Sequence, residues 1–249
     1  MNIILTGATG LVGTAALSHI LSLPAGKISH LYILSRSPVP LAENHPNITV
    51  IQHSDFTNYS PDLLHKLKGA HGCIWALGVS QTQVSKEEYV RITVDYPLAA
   101  AKAFAGLNDS FNFVYVSGEG ATSDPGIFTP FFGRVKGNCE TALIELSKKY
   151  PSLKPYSVRP AFVDATHDPK VKDAVLQRPD QQTFVKRVLR NGVVSIVRAT
   201  WSDVISPTKE LGLFLTNLAG GDGKPLSEQG VSGDGWIISN IAIRKSVGI

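Results

Sequence analysis

Residues 6–13 read Thr-Gly-Ala-Thr-Gly-Leu-Val-Gly, and they join a short apolar run to a helical one near the start of the chain. Few sequences constrain a fold more tightly. A glycine at the end of a strand allows a sharp turn. A second lets the backbone approach a pyrophosphate closely, and a third lets the following helix pack against the strand. The helix start then presents free N–H groups and a positive dipole end to an anion. The spacing is G-x-x-G-x-x-G rather than G-x-G-x-x-G, yet the strand–turn–helix context is the one a dinucleotide needs. Thr6, Gly7, Thr9, Gly10, Leu11, Val12 and Gly13 are therefore expected to line a cofactor.

The pattern that follows alternates β-rich and helical runs. Strands are expected at 2–6, 30–35, 48–53, 73–77, 111–117 and 155–159, and helices at 11–21, 61–67, 87–105 and 134–149. The strands are almost wholly apolar, as they must be when helices cover both faces of a sheet. Strict alternation implies a parallel sheet with right-handed crossovers, an α/β Rossmann-like doubly wound architecture. After Arg159-Pro160 the alternation fades. Lys186 to Arg190 reads as a short helical stretch, Pro207 to Leu218 as an amphipathic helix, and Trp236 to Ile243 as a closing strand or extended tail. Residues 1–249 are read as one domain, with 161–249 contributing a small cap on the substrate side.

Composition narrows the function classes. The chain is 43% hydrophobic and 18% charged, an ordinary globular balance. No uninterrupted apolar run is long enough to span a bilayer, and the start lacks a basic leader, so no membrane or secretory role is expected. Only Cys73 and Cys139 are present, without ligand spacing; neither a disulfide framework nor a metal site is expected, and a cytoplasmic setting fits. Seven Lys/Arg lie between Lys170 and Arg198 against two Asp, but they are spread along the segment, which reads as solvated surface rather than a nucleic-acid patch. The expected partner is a small-molecule substrate; a homodimer stays open.

The end of the second strand chooses the coenzyme. An acidic residue about 20 positions past the glycines would bind a ribose 2′-hydroxyl. Here Ser35 and Arg36 stand 22 and 23 positions past Gly13, followed by Ser37. A guanidinium flanked by hydroxyls suits a 2′-phosphate, so NADP(H) is favoured over NAD(H).

The glycine turn resembles that of the short-chain dehydrogenase/reductase superfamily. So do Asp55-Phe56, Ala76-Leu77-Gly78, Val116-Ser117-Gly118, Arg134-Val135-Lys136-Gly137 and Val158-Arg159-Pro160. Together they point to its atypical branch, around the Tat-interacting oxidoreductase-like group and its fungal relatives. The resemblance implies that Asp55 and Phe56 bracket the adenine and that Ala76, Leu77 and Gly78 line the cofactor's middle. It also implies that Pro160, Ala161 and Val163 pass the nicotinamide. In that superfamily a Tyr-x-x-x-Lys pair and a serine do the proton chemistry, which maps onto Lys136 and Ser117.

The position four before Lys136 is Phe132, which has no exchangeable proton. Lys136 is then assigned to the ribose hydroxyls and Ser117 to a substrate oxygen. Glu119, two residues beyond Ser117, is the replacement acid or base if its carboxyl is partly buried; a capping role is the plainer alternative. Tyr115 reads as core, and Arg91 and Asp95 as an i,i+4 surface pair. The segment Asp124 to Phe132 reads as a stiff apolar wall; Phe131, Phe132 and Trp201 are expected to meet the substrate, with Asp203 nearby. Three functions compete: an NADP(H)-dependent oxidoreductase on a small, largely apolar carbonyl or enone in secondary metabolism; a cofactor-holding isomerase, cyclase or dehydratase; and a non-enzymatic NADP(H) sensor.

Overall fold

A computed structural model describes residues 1–176 and 204–249. Six parallel strands form the centre: β1 (Asn2–Thr6), β2 (His30–Ser35), β3 (Ile48–Gln52), β4 (Gly72–Trp75), β5 (Phe111–Val116) and β6 (Leu153–Val158). Their order is β3-β2-β1-β4-β5-β6, which reverses direction at β1 and β4. This is the doubly wound α/β arrangement expected from the strand–helix alternation.

Each face of the sheet has its own core. On one, α1 (Leu11–Ser22) and α7 (Thr208–Ala219) pack Leu17, Leu211, Phe214 and Leu215 against Ile3, Leu5 and Ile33. The two helices approach so closely that a side chain on Gly212 would collide with the Ala15 carbonyl. On the other, α2 (Pro61–Leu67), α4 (Tyr96–Phe104) and α5 (Phe131–Lys149) cover Ile4, Cys73, Trp75 and Phe113, while α3 (Lys86–Val90) buries Tyr89 beside Phe131. No helix among the described residues is long and apolar enough to cross a membrane.

The expected 87–105 helix is interrupted. A π-turn over Arg91–Asp95 joins α3 to α4. The wider turn brings the i+5 residue under Arg91 instead of i+4. Its guanidinium accordingly donates to the Tyr96 hydroxyl at 2.9 and 3.2 Å and lies 3.7 Å from Glu88. The expected Arg91–Asp95 pair is replaced by this Tyr96 contact.

The carboxyl-terminal part divides between layers. β7 (Phe162–Asp164) and β8 (Ile205–Pro207) form a small parallel sheet, with α6 (Pro169–Leu176) against α1. The remainder belongs to the centre: α7 covers one face, and β10 (Ile237–Ile238) extends the main sheet beside β6, with β9 (Val231–Ser232) antiparallel at its edge. Trp236 to Ile243 is thus neither one strand nor a tail. After two strand residues, Ser239 accepts a bond from Ala242 N–H and starts α8 (Asn240–Ser246). Lys186 to Arg190, Trp201 and Asp203 lie outside the described residues.

Candidate functional site

The glycine turn sits at the carboxyl end of β1, beside the point where strand order reverses, the usual place for a ligand crevice in such sheets. Its three glycines have different reasons. Gly7 holds φ +68°, and a Cβ there would strike the Ala76 carbonyl. A Cβ on Gly13 would strike the Gly7 carbonyl. These two are demanded by the protein's own packing. Gly10 is not, since its Cβ would find the Gly7 oxygen only at 3.4 Å. Gly10 is also the N-cap of α1 and brings no side chain to the helix start. The turn is braced from behind, where Thr14 Oγ1 donates to the Ala8 carbonyl at 3.0 Å.

A cleft of about 160 Å³ opens in front of this turn. It brings together Gly7, Thr9, Gly10, Ser35, Arg36, Phe56, Ala76, Leu77 and Gly78, nine of the expected cofactor residues. Ser37, the second hydroxyl beside Arg36, is there too, and Leu34, Val79 and Gln83, which sequence reasoning missed, complete the lining. Leu34 and Val79 adjoin residues that were chosen; Gln83 carries no local signal. Thr6, Leu11, Val12, Gly13, Asp55 and Lys136 are not in the lining, nor are Pro160, Ala161 and Val163.

At the far edge, Ser35 donates to the Ser37 carbonyl at 2.7 Å, which folds the β2 end into a tight bend. Its hydroxyl is used in holding Arg36 outward. Arg36 is exposed and makes no ion pair or hydrogen bond among the described residues. Phe56 is buried edge-on to Trp75, with ring centroids 5.8 Å apart. Asp55 is exposed; bonds from the Thr57 hydroxyl and N–H hold its carboxyl below the usual range.

A second group gathers where β5, β6 and α5 meet. Lys136 Nζ donates to the Ser117 carbonyl at 2.5 Å. Burial is the main cause that pulls the Lys136 ammonium down to about 8, opposed by the nearby Cys139 and Glu140. Ser117 is buried, and its hydroxyl has no partner among the described residues. One turn beyond Lys136, Glu140 is fully buried and takes both Arg159 donors, at 2.9 and 2.5 Å. Sequence reasoning missed this pair, because the two residues are 19 apart.

Glu119 is exposed, not partly buried, and its carboxylate accepts from the Asn240 N–H at 3.3 Å. This places it on the first turn of α8, the capping alternative. Tyr115 is core as expected, with its hydroxyl donating to the Thr93 carbonyl. Phe131 packs against Tyr89 at 5.8 Å, and the Phe132 ring lies beside Gly120. The preceding segment is pinned by Arg134, which donates to the carbonyls of Thr129, Gly126 and Ile127, but Ile127 and Phe128 stand exposed and do not form the expected wall. Ala161 N–H donates to Ser206 Oγ, and Val163 pairs with Ser206 in the small sheet. Among the described residues, no group of three or more His, Cys, Asp or Glu could hold a metal ion.

No family model matches the chain. It is 34% identical to leucinostatins biosynthesis cluster protein T of Purpureocillium lilacinum, over 98% of this chain and 94% of that protein. Botcinic acid biosynthesis cluster B protein 16 of Botryotinia fuckeliana is 40% identical over 61% of this chain and 98% of its own length. Among solved structures, a short chain dehydrogenase family protein from Francisella tularensis superposes with a TM-score of 0.63 at 14% identity, covering 96% of both chains. Bordetella bronchiseptica WbmF in complex with NAD⁺ gives a TM-score of 0.63 at 13% identity, over 99% of this chain and 78% of that one.

Proposed function

Because the chain belongs to one family with leucinostatins biosynthesis cluster protein T and has the fold of a short chain dehydrogenase family protein, we propose that it is an atypical short-chain dehydrogenase/reductase and an NADP(H)-dependent oxidoreductase. Its substrate would be a small, largely apolar carbonyl or enone, and its place a biosynthetic one. One observation carries this reading: a glycine turn open at Gly10 over an uncapped helix start shares a cleft with the unpaired Arg36.

The residues present fit a dinucleotide. Gly10 keeps the turn free of a side chain, and the α1 start offers N–H groups and positive dipole to a pyrophosphate. Arg36 is free to pair with a 2′-phosphate, with Ser37 beside it. Phe56 and Asp55 border the adenine end, and Ala76, Leu77 and Gly78 the middle. Lys136 takes the ribose hydroxyls, while Pro160, Ala161 and Val163 flank the far ring. When bound, the dinucleotide supplies or accepts hydride. The chain orients the substrate through the unpartnered Ser117 hydroxyl and keeps a cation, Lys136, close by at neutral pH.

Calorimetry against NADPH and NADH tests the coenzyme, and absorbance during incubation with quinones, enones and aromatic aldehydes tests the reaction. Tighter NADPH binding and consumption with an apolar acceptor are expected. Tighter NADH binding overturns the coenzyme choice, and no binding of either overturns the reading. Phe132 favours a second reading, a non-redox isomerase, cyclase or dehydratase; its mark would be substrate conversion without coenzyme consumption.

A further inference from the structure

The loop after β4 folds back on itself through Ser80 and Gln83. Ser80 N–H donates to Gln83 Oε1 at 3.1 Å, and Gln83 N–H donates to the Ser80 carbonyl at 3.0 Å. A second brace joins the Ser80 and Thr82 hydroxyls at 2.9 Å. A turn closed this way projects Gln81 from its corner. The Gln81 side chain crosses to a residue 51 positions away, where its Oε1 accepts the Phe132 N–H at 3.0 Å. Phe132 N–H is a first-turn donor of α5, whose N-cap, Pro130, supplies no side-chain bond. A backbone N–H can only donate, so the amide oxygen faces Phe132 and the amide nitrogen faces away. Gln81 is exposed, and that nitrogen is open to solvent with no protein partner among the described residues. The same loop supplies Val79 and Gln83 to the cleft, while Gln81 itself reaches the first turn of α5. Lys136, on the next turn, reaches the Ser117 backbone.

We propose that Gln81 is a catalytic hydrogen-bond donor: its side-chain N–H₂ holds the substrate's carbonyl oxygen, and the alkoxide that forms from it, at the place where Phe132 offers no phenol. The inference rests on the oxidoreductase reading. A reduced nicotinamide dinucleotide held in the cleft would supply hydride to the carbonyl carbon and would itself be oxidised. The π electron pair moves onto oxygen, and the resulting alkoxide takes its proton from water. Gln81 and the Ser117 hydroxyl donate to that oxygen throughout. A fixed amide is worth most as charge builds on the oxygen.

Gln81→Glu tests this, because it keeps an acceptor for the Phe132 N–H and removes the donor. The melting temperature and NADPH affinity are expected to stay at wild-type values. With the acceptor that wild type reduces fastest, kcat is expected to fall about 10²-fold with little change in KM. Adding Phe132→Tyr should restore kcat about tenfold or more by supplying a phenol. Wild-type kcat in Gln81→Glu overturns the inference and leaves the oxidoreductase reading standing. A loss of kcat accompanied by loss of melting temperature or NADPH affinity makes the amide structural and overturns it as well, as does a double variant no better than the single. A wild-type protein that oxidises NADPH with none of the acceptors overturns both.

Discussion

The two ends of the site are built from different materials. At the β1 end the protein works with main chain: two glycines are locked by carbonyls that leave no room for a Cβ, and at a third a Cβ would meet only the Gly7 oxygen, at 3.4 Å. At the β5 end it works with side chains: an ammonium drawn down to about 8 by burial, an unpartnered serine, and a carboxylate–guanidinium pair beneath them. The first end tolerates no change of shape but carries no titrating group of its own. The second carries charge that its surroundings must balance. A backbone cradle holds a ligand that many proteins share, whereas a side-chain cluster is where chemistry can be altered without rebuilding the fold. Phe132 lies at the second end.

The contrast can be broken at several points. The largest effect is expected from Glu140→Ala, which strands Arg159 without its partner; breaking a buried pair costs about 3–5 kcal/mol. Chemical denaturation would measure it, and a loss below about 1 kcal/mol would mean that the pair balances nothing.

Next comes a paired test of the glycines. Gly13→Ala forces a methyl into the Gly7 carbonyl and should cost about 1–3 kcal/mol of stability. Gly10→Ala meets only an ordinary contact, so the fold should hold while NADPH affinity drops. Equal stability losses in both variants would remove the distinction between packing and ligand glycines.

Arg36→Ala should weaken NADPH binding about tenfold or more and leave NADH binding unchanged, since it removes a charge-assisted contact to the 2′-phosphate alone. Equal losses for the two coenzymes would sharpen the picture toward general electrostatics.

The smallest effect is a pH slope. Lys136 titrates near 8 in the folded chain, below its ordinary 10.5, so the unfolded state binds more protons between these values. Its burial therefore costs most below pH 8, and that cost is relieved as pH rises toward 10.5. The stability gain of Lys136→Met over wild type should be greatest at pH 7 and shrink by pH 10. A gain constant with pH would show that desolvation of the ammonium is not its source.

What was readable in advance followed locality. The glycine turn, the apolar strands β1 to β6 and the helices between them each impose a period or a turn within a short window, so the layered sheet and most of the cleft lining were visible in the residues. β9 and β10 are two residues long, too short for any periodicity, and exist because β6 offers an unpaired edge. The π-turn at Arg91–Asp95 leaves a helical pattern intact while shifting which residues meet. Glu119 lies at a strand end, as the sequence shows, but only the approach of α8 turns its carboxylate toward Asn240.

By itself, then, the sequence determined the layers, their order and the dinucleotide-like turn, because these depend on hydrophobic period and on residues within a few positions of one another. The tertiary structure alone decided which side chains meet at the reactive end. Gln81 with Phe132 and Glu140 with Arg159 are pairs brought together by the packing of separate elements, and long-range contacts of that kind leave no mark on the local pattern.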